Sequence, residues 1–177
     1  MEGTRTEPRW LTANEQLSWR SFVLGVAELF EQLDEALRPY GLTLAEYSIL
    51  VCLSEIPDHR IRMSELAAAV HQSRSRLTHT VTRMERAGLV ARRSSTSDRR
   101  GVWALLTDAG QERLVAAAPA HVESVRRFFV EPAGEADFHA VGRAFTEVMR
   151  YATGEESAVP PWARDAWQRE GFDDEPD

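Results

Sequence analysis

Apolar residues recur at steps of three and four early in the chain: Trp19, Phe22, Val23, Val26, Leu29, Phe30, Leu33 and Leu37. That spacing lays them along one side of a helix. Thr12 and Glu15 have the spacing of a capping box, so the helix is expected to begin near residues 12–14 and run to about Leu37. Arg38-Pro39-Tyr40-Gly41 stops it, because proline cannot donate and glycine accepts a left-handed turn. The stripe is wide for one helix. It predicts burial against more than one neighbour, a second subunit among the possibilities.

Thr43 and Glu46 repeat the capping pattern and open a second helix, about Leu44 to Ser54. Pro57-Asp58-His59 reads as a loop and Arg60-Ile61-Arg62 as a very short strand. Ser64 is expected to cap a helix over Glu65 to Val70, His71-Gln72 to turn the chain, and Ser73 to cap a helix from Arg74 to Ala87. At 100° per residue, Leu77, Val81 and Met84 share one face of that helix. Ser75, His79, Thr82, Arg83 and Arg86 point the other way, with Arg76 and Thr78 on the flanks. Gly88 stands where a helix leaves through a left-handed residue. Leu89 to Arg93 and Val102 to Leu106 are strand-like and joined by the polar turn SSTSDRRG. Two short helices across a tight turn, then such a hairpin, make a winged helix-turn-helix. Thr107-Asp108 opens a long helix to about Phe129, with Pro119 as its expected irregularity. After Glu131-Pro132-Ala133-Gly134 comes a last helix, Glu135 to Thr153, with Phe138, Val141, Phe145, Val148 and Met149 at helical spacing.

Charge sharpens this picture. The chain carries −7 overall, yet residues 60–100 hold ten arginines against three acids, a local +7 that leaves −14 elsewhere. A phosphate backbone responds to the local field rather than to the total. All 21 basic residues are arginine, which a GC-rich genome would explain more simply than selection at every site. From Gly154 onward eight acids face Arg164 and Arg169, and this −6 tail holds Trp162, Trp167 and Phe172, consistent with either a short docked helix or a loose tail. At 43% hydrophobic residues the chain can bury a core, and no apolar run approaches the roughly 20 residues that span a bilayer. The start, MEGTRTEPRW, lacks a signal peptide's apolar region, and the single cysteine, Cys52, excludes an intramolecular disulfide framework. The expected location is the cytoplasm, with no membrane partner.

The run SELAAAVHQSRSRLTHTVTRMERAGLVARR…SDRRGVWALLTDAG resembles the MarR family of bacterial transcriptional regulators. The likeness rests on ERAGLV at the end of the polar-faced helix, DRR at the hairpin tip and LTDAG after it, in that order and spacing. Helical segments on both sides extend it over roughly residues 13–152. The resemblance implies a mainly α fold with a small β-wing: a winged helix-turn-helix domain plus a helical dimerisation region. It divides the chain into an arm and dimerisation helix (1–42), a DNA-binding domain (43–106), dimerisation helices (107–153) and the acidic tail (154–177). It further implies a homodimer on a pseudo-palindromic duplex operator, usually as a repressor, often released by a small aromatic or phenolic effector.

Under this reading the DNA-binding residues are Ser73, Arg74, Ser75, Arg76, Thr78, His79, Thr82 and Arg83 on the recognition helix, with Ser97, Asp98, Arg99 and Arg100 on the wing. Arginine can bond guanine O6 and N7 in a fork, while hydroxyls and histidine reach bases or phosphates. The plainer reading, a merely solvated helix face, sits poorly between a capped turn and a basic hairpin. Arg99 or Arg100 would enter the minor groove; the resemblance favours Arg100, with Asp98 steadying the loop. Trp19, Arg20, Tyr47 and His59 are the candidate effector-binding residues, Arg20 as a carboxylate anchor. Against that, Trp19 can equally be dimer core and Arg20 part of a salt bridge. Cys52 reads as a small core residue, since the thiol sensors of this family carry their cysteine near the N-terminus. His59, His71, His79, His121 and His139 include no pair four residues apart and no local Cys/His cluster, so no metal site, cofactor or catalytic residue is expected. The rival readings are a DNA-binding regulator without an effector and a protein-interaction module that has lost DNA binding.

Overall fold

A computed structural model describes residues 8–94 and 101–154. Helix α1 (Ala13–Leu37) opens on the expected capping box: the Thr12 hydroxyl accepts from the Glu15 N–H, and the Glu15 carboxylate accepts from the Thr12 N–H at 2.7 Å. Gly41, at φ +66°, ends the 3-10 turn that follows. Helix α2 (Leu44–Glu55) repeats the box with Thr43 and Glu46. Next in the chain are β1 (Arg60–Arg62), α3 (Met63–Ala69), α4 (Arg74–Arg86), β2 (Val90–Ser94), β3 (Val102–Leu106) and α5 (Asp108–Val125). A π turn over Arg126–Val130, the single turn α6 (Glu131–Ala133) and α7 (Glu135–Thr153) complete it. The three strands form one antiparallel sheet, ordered β1-β3-β2, with Arg62 opposite Trp103 and Arg93 opposite the same residue on the other side.

One core joins these elements. Leu37 of α1 meets Ile49, Leu50 and Leu53 of α2, Leu66 of α3, Leu77, Val81 and Met84 of α4, Val90 and Ala104 of the sheet, and Leu114 of α5. Each fully buried side chain of this size contributes about 1.5–3 kcal/mol of transfer free energy. Away from that core α1 is buried only toward its C-terminal end. Along the α1 stripe Leu33 and Leu37 are buried, whereas Trp19, Phe22 and Val23 remain 57%, 38% and 43% exposed. α7 buries no residue and touches α1 through Phe145, whose ring lies 5.4 Å from that of Phe22. The chain itself supplies α1 with more than one neighbour, α2, α5 and α7 among them, as expected. Among the described residues no helix is long and apolar enough to cross a membrane.

Two local expectations need correction. Ser64 does not cap α3: the helix starts at Met63 with Arg62 as its N-cap residue and no side-chain cap. Pairing of Arg62 with Trp103 in the sheet fixes the extended residue there, so the helix begins two positions early. Pro119 lies inside α5 without interrupting it. Its missing N–H would have gone to the carbonyl of Val115, which is on the exposed side and open to water. The irregularity is instead the π turn, just ahead of Pro132, whose absent N–H an unbroken α-helix would need. Glu131–Ala133 forms a helical turn, and Gly134, at φ +74°, makes the break before α7. The acidic aromatic stretch at 155–177 lies outside the described residues.

Candidate nucleic-acid interface

The helix pair is held at its turn by backbone bonds. His71 takes φ +48°, and the N–H groups of His71 and Gln72 donate to Ala68 and Ala67. Ser73 then caps α4, its hydroxyl accepting from the Arg76 N–H at 3.2 Å. At the other end Leu89 N–H reaches the Met84 carbonyl and Gly88 N–H the Glu85 carbonyl, both at 3.0 Å, with Gly88 at φ +74°. That pair of bonds is the Schellman closure that a left-handed glycine permits. Between the caps, Leu77, Val81 and Met84 are buried as expected, and so is Thr80, whose hydroxyl donates to the Arg76 carbonyl and therefore needs no water.

The remaining side of α4 is open. Ser73, Arg74, Ser75, Arg76, Thr78, His79 and Arg83 are exposed and Thr82 is half-buried. Thr78 and Thr82 donate their hydroxyl protons to the carbonyls of Arg74 and Thr78, at 2.8 and 2.7 Å. What they present outward is therefore an acceptor oxygen and a methyl group. Arg74 and Thr78 line a hollow of about 420 Å³ shared with Arg62, Ser64 and the wing root at Gly101 and Val102. The helix face and the base of the wing therefore form one continuous surface.

Among the described residues, the arginines of the basic segment that pair with carboxylates include Arg60, with its near neighbour Asp58 at 3.3 Å, and Arg92 and Arg83, with acids on other elements. Arg92 on β2 grips Glu85 of α4 through Nη2 at 2.6 Å and Nε at 2.9 Å, and donates its own N–H at 3.1 Å. Those hydrogen bonds, with the guanidinium charge, hold the Glu85 carboxyl below the usual carboxylate range and lock the wing strand to the recognition helix. Arg83 donates Nε–H to Glu46 of α2 at 2.7 Å. Sequence reasoning took Glu46 as a capping residue only and assigned neither it nor Glu85 an arginine partner. Glu85 stands seven residues from its partner across a visible helix end, but Glu46 is 37 residues away and offers no local signal. On the outer sheet face the Arg60 and Arg62 guanidinium carbons lie 5.6 and 5.0 Å from the Trp103 ring centroid. Ser97, Asp98, Arg99 and Arg100 lie outside the described residues.

The four effector candidates have different immediate surroundings. Trp19 and Arg20 line a shallow apolar hollow with Trp10, Leu11 and Gln16, and Arg20 is exposed rather than part-covered. Tyr47 is buried, its ring 4.4 Å from that of His121 on α5. Burial, with a smaller effect of Glu55, raises the Tyr47 hydroxyl above its ordinary range; burial lowers His121. His59 places Nδ1 3.2 Å from the Leu53 carbonyl, which can only accept, so that nitrogen carries the proton. Cys52 is fully buried, and burial above all, with Glu55 adding to it, pushes its thiol up to about 12 from 9.0. That leaves about a thousandth of the ordinary thiolate fraction. Iodoacetamide at pH 8 should accordingly leave Cys52 unmodified in the folded protein and label it fully in denaturant; mass spectrometry showing rapid native labelling would refute the burial.

The residue pattern has counterparts. A sequence model of the MarR family matches residues 42–102, from just before α2 to the start of β3. AbsC, a MarR family transcriptional regulator from Streptomyces coelicolor, is 44% identical with a TM-score of 0.77, over 84% of this chain and 100% of that one. A second MarR family regulator from Streptomyces coelicolor, solved in complex with DNA, is 40% identical with a TM-score of 0.79, over 87% and 97%. The transcriptional repressor YetL of Bacillus subtilis (strain 168) is 27% identical over 124 residues, 68% of this chain and 74% of its own length. A capped polar-faced helix, a hairpin locked to it by Glu85 and Arg92, and 44% identity across the whole of AbsC lead to one conclusion: the chain belongs to the MarR family of transcriptional regulators.

Proposed function

We propose that the protein is a homodimeric repressor that places two copies of α4 in successive major grooves of a pseudo-palindromic operator and is released by a small aromatic or phenolic anion. The observation that carries the reading is the division of α4: one face fully buried, the other an exposed row of Arg, Ser, Thr and His. Ser73, Arg74, Ser75, Arg76, Thr78, His79, Thr82 and Arg83 would meet the duplex, with Ser97, Asp98, Arg99 and Arg100 at the minor groove. The relative solved with DNA supports this use of the surface. Uncovered apolar side chains on α1 and α7 support the homodimer, whose two recognition helices would sit about 34 Å apart. Effector release rests on Trp19 and Arg20, an aromatic wall beside an anchor for a carboxylate; a ligand shifts the equilibrium only by binding the DNA-incompetent spacing more tightly.

The test is salt. A duplex selected by the protein from a random-sequence pool should bind with an affinity falling steeply as salt rises, with a log–log slope of about −0.9 per neutralised phosphate. Six contacts or more would give roughly −5; a flat slope rejects the phosphate-contact reading. Arg100→Ala should weaken that binding without changing the melting temperature, and Arg20→Ala should abolish release by aromatic acids while sparing DNA affinity.

A further inference from the structure

We infer that Glu46, on α2 and away from the open face of α4, is a positioning residue that aims the Arg83 guanidinium at DNA and so raises sequence discrimination. This rests on the reading of α4 as the DNA-contacting helix. Glu46 is only 5% exposed, and both of its carboxylate oxygens are engaged. Oε2 accepts from the Thr43 N–H and the Thr43 hydroxyl, each at 2.9 Å; Oε1 accepts from Arg83 Nε at 2.7 Å. The carboxylate stands in the first turn of α2, where the helix favours negative charge. The α2 N-terminus is itself fixed to α1, since the Leu44 N–H donates to Asp34 Oδ1 at 2.7 Å. The anchor therefore has no slack.

Among the described residues its partner is held at one point, Nε. The Arg83 side chain stays 61% exposed, so Nε is spent on Glu46 while the terminal nitrogens remain on the open side. Those two groups are the pair that matches a phosphate or the O6/N7 edge of guanine. An arginine on a solvated helix samples many rotamers, and ordering it on a duplex loses entropy; an arginine already held has lost it beforehand. Only an oriented contact benefits. Diffuse attraction to any phosphate needs no orientation and is weakened by the neighbouring negative charge. The pair thus favours the right sequence over the rest.

The experiment measures binding to two duplexes of equal length and composition, one selected from a random pool by the unaltered protein and one scrambled. Glu46→Gln keeps the side-chain volume and an oxygen for the Thr43 cap. It should bind the selected duplex about tenfold more weakly and the scrambled one no more weakly. Glu46→Asp keeps the charge but withdraws it from Arg83, and should behave like Glu46→Gln; wild-type discrimination in that variant would overturn positioning. Arg83→Ala should lose selected-duplex affinity, and the double variant should be no weaker than Arg83→Ala alone. Additive losses, or an unchanged ratio between the duplexes in folded Glu46→Gln, overturn the inference while leaving Arg83 a DNA contact. If Arg83→Ala binds like wild type, Arg83 leaves the proposed interface and the inference goes with it.

Discussion

Replacing Gly110 with alanine is expected to destabilise the protein by about 3 kcal/mol or more, well above the effect of any single change on the open face of α4. A Cβ at this position would lie 2.1 Å from the Leu89 carbonyl oxygen, 3.0 Å from its carbon and 2.9 Å from Leu106 Cδ1. Leu106 can rotate away. Leu89 cannot, because its backbone is held on both sides. Its N–H closes the end of α4 on Met84 at 3.0 Å, and its carbonyl accepts from the Thr107 N–H at 3.3 Å and the Thr107 hydroxyl at 2.9 Å. The same hydroxyl accepts from the Gly110 N–H at 3.0 Å and caps α5. The first turn of α5 therefore rests on the backbone where the recognition helix ends and the wing begins, and one methyl group would force the elements apart. Overpacking usually costs 1–3 kcal/mol, and more where backbone rather than a side chain must yield. For a domain of this size the melting temperature should fall by about 6–12 °C. Thermal unfolding at fixed protein concentration checks it, and a loss under 1 kcal/mol would mean that α5 can slide over Leu89.

That contact gives LTDAG a physical meaning that the sequence alone leaves hidden. The threonine and glycine are visible as a helix start, but the distance from Gly110 to Leu89 is a tertiary fact across 21 positions. The same division runs through the molecule. Capping residues act on their own helix, so Thr12, Thr43, Ser73 and Thr107 were readable, as was Gly88. Ser64 misled because a sheet pairing, not local chemistry, decides where α3 begins. Pro119 misled because its orphaned carbonyl faces water. On the candidate interface, amphipathic spacing identified the open side of α4 correctly, since burial follows the 3.6-residue period. It could not separate arginines anchored to acids, such as Arg83 and Arg92, from those that are not. Trp19 and Arg20 are sequence neighbours, while Tyr47 and His59 have separate surroundings that no spacing rule relates to them.

Placing an aspartate at Phe22 is expected to split the proposed homodimer and, with it, to reduce operator affinity by a hundredfold or more, roughly the lower end of what linking two sites gains. The stripe on α1 shows why. Its C-terminal half is buried by the chain's own core, at 6% exposure for Leu33 and 0% for Leu37, while Trp19, Phe22 and Val23 on the same side remain 57%, 38% and 43% exposed. On α5 and α7, Val122, Phe145 and Val148 are 54%, 41% and 58% exposed. Apolar surface of this extent marks an interaction site in a folded protein. A carboxylate buried there without a partner costs several kcal/mol, enough to dissociate a dimer at micromolar concentration. The helix-turn-helix core takes none of its buried residues from this stretch, so the monomer should keep its far-ultraviolet spectrum. What it loses is the second half-site: once one α4 is bound, the other binds as if at millimolar local concentration, and a monomer forfeits that gain. Phe22 also contacts Phe145 within the chain, so Val23→Asp, which removes no ring contact, is the companion variant. Sedimentation should show monomers for both, and each should bind a palindromic duplex no better than an isolated half-site. A persistent dimer would show that this face is not the interface, and a monomer with full operator affinity would show that one α4 and one wing suffice.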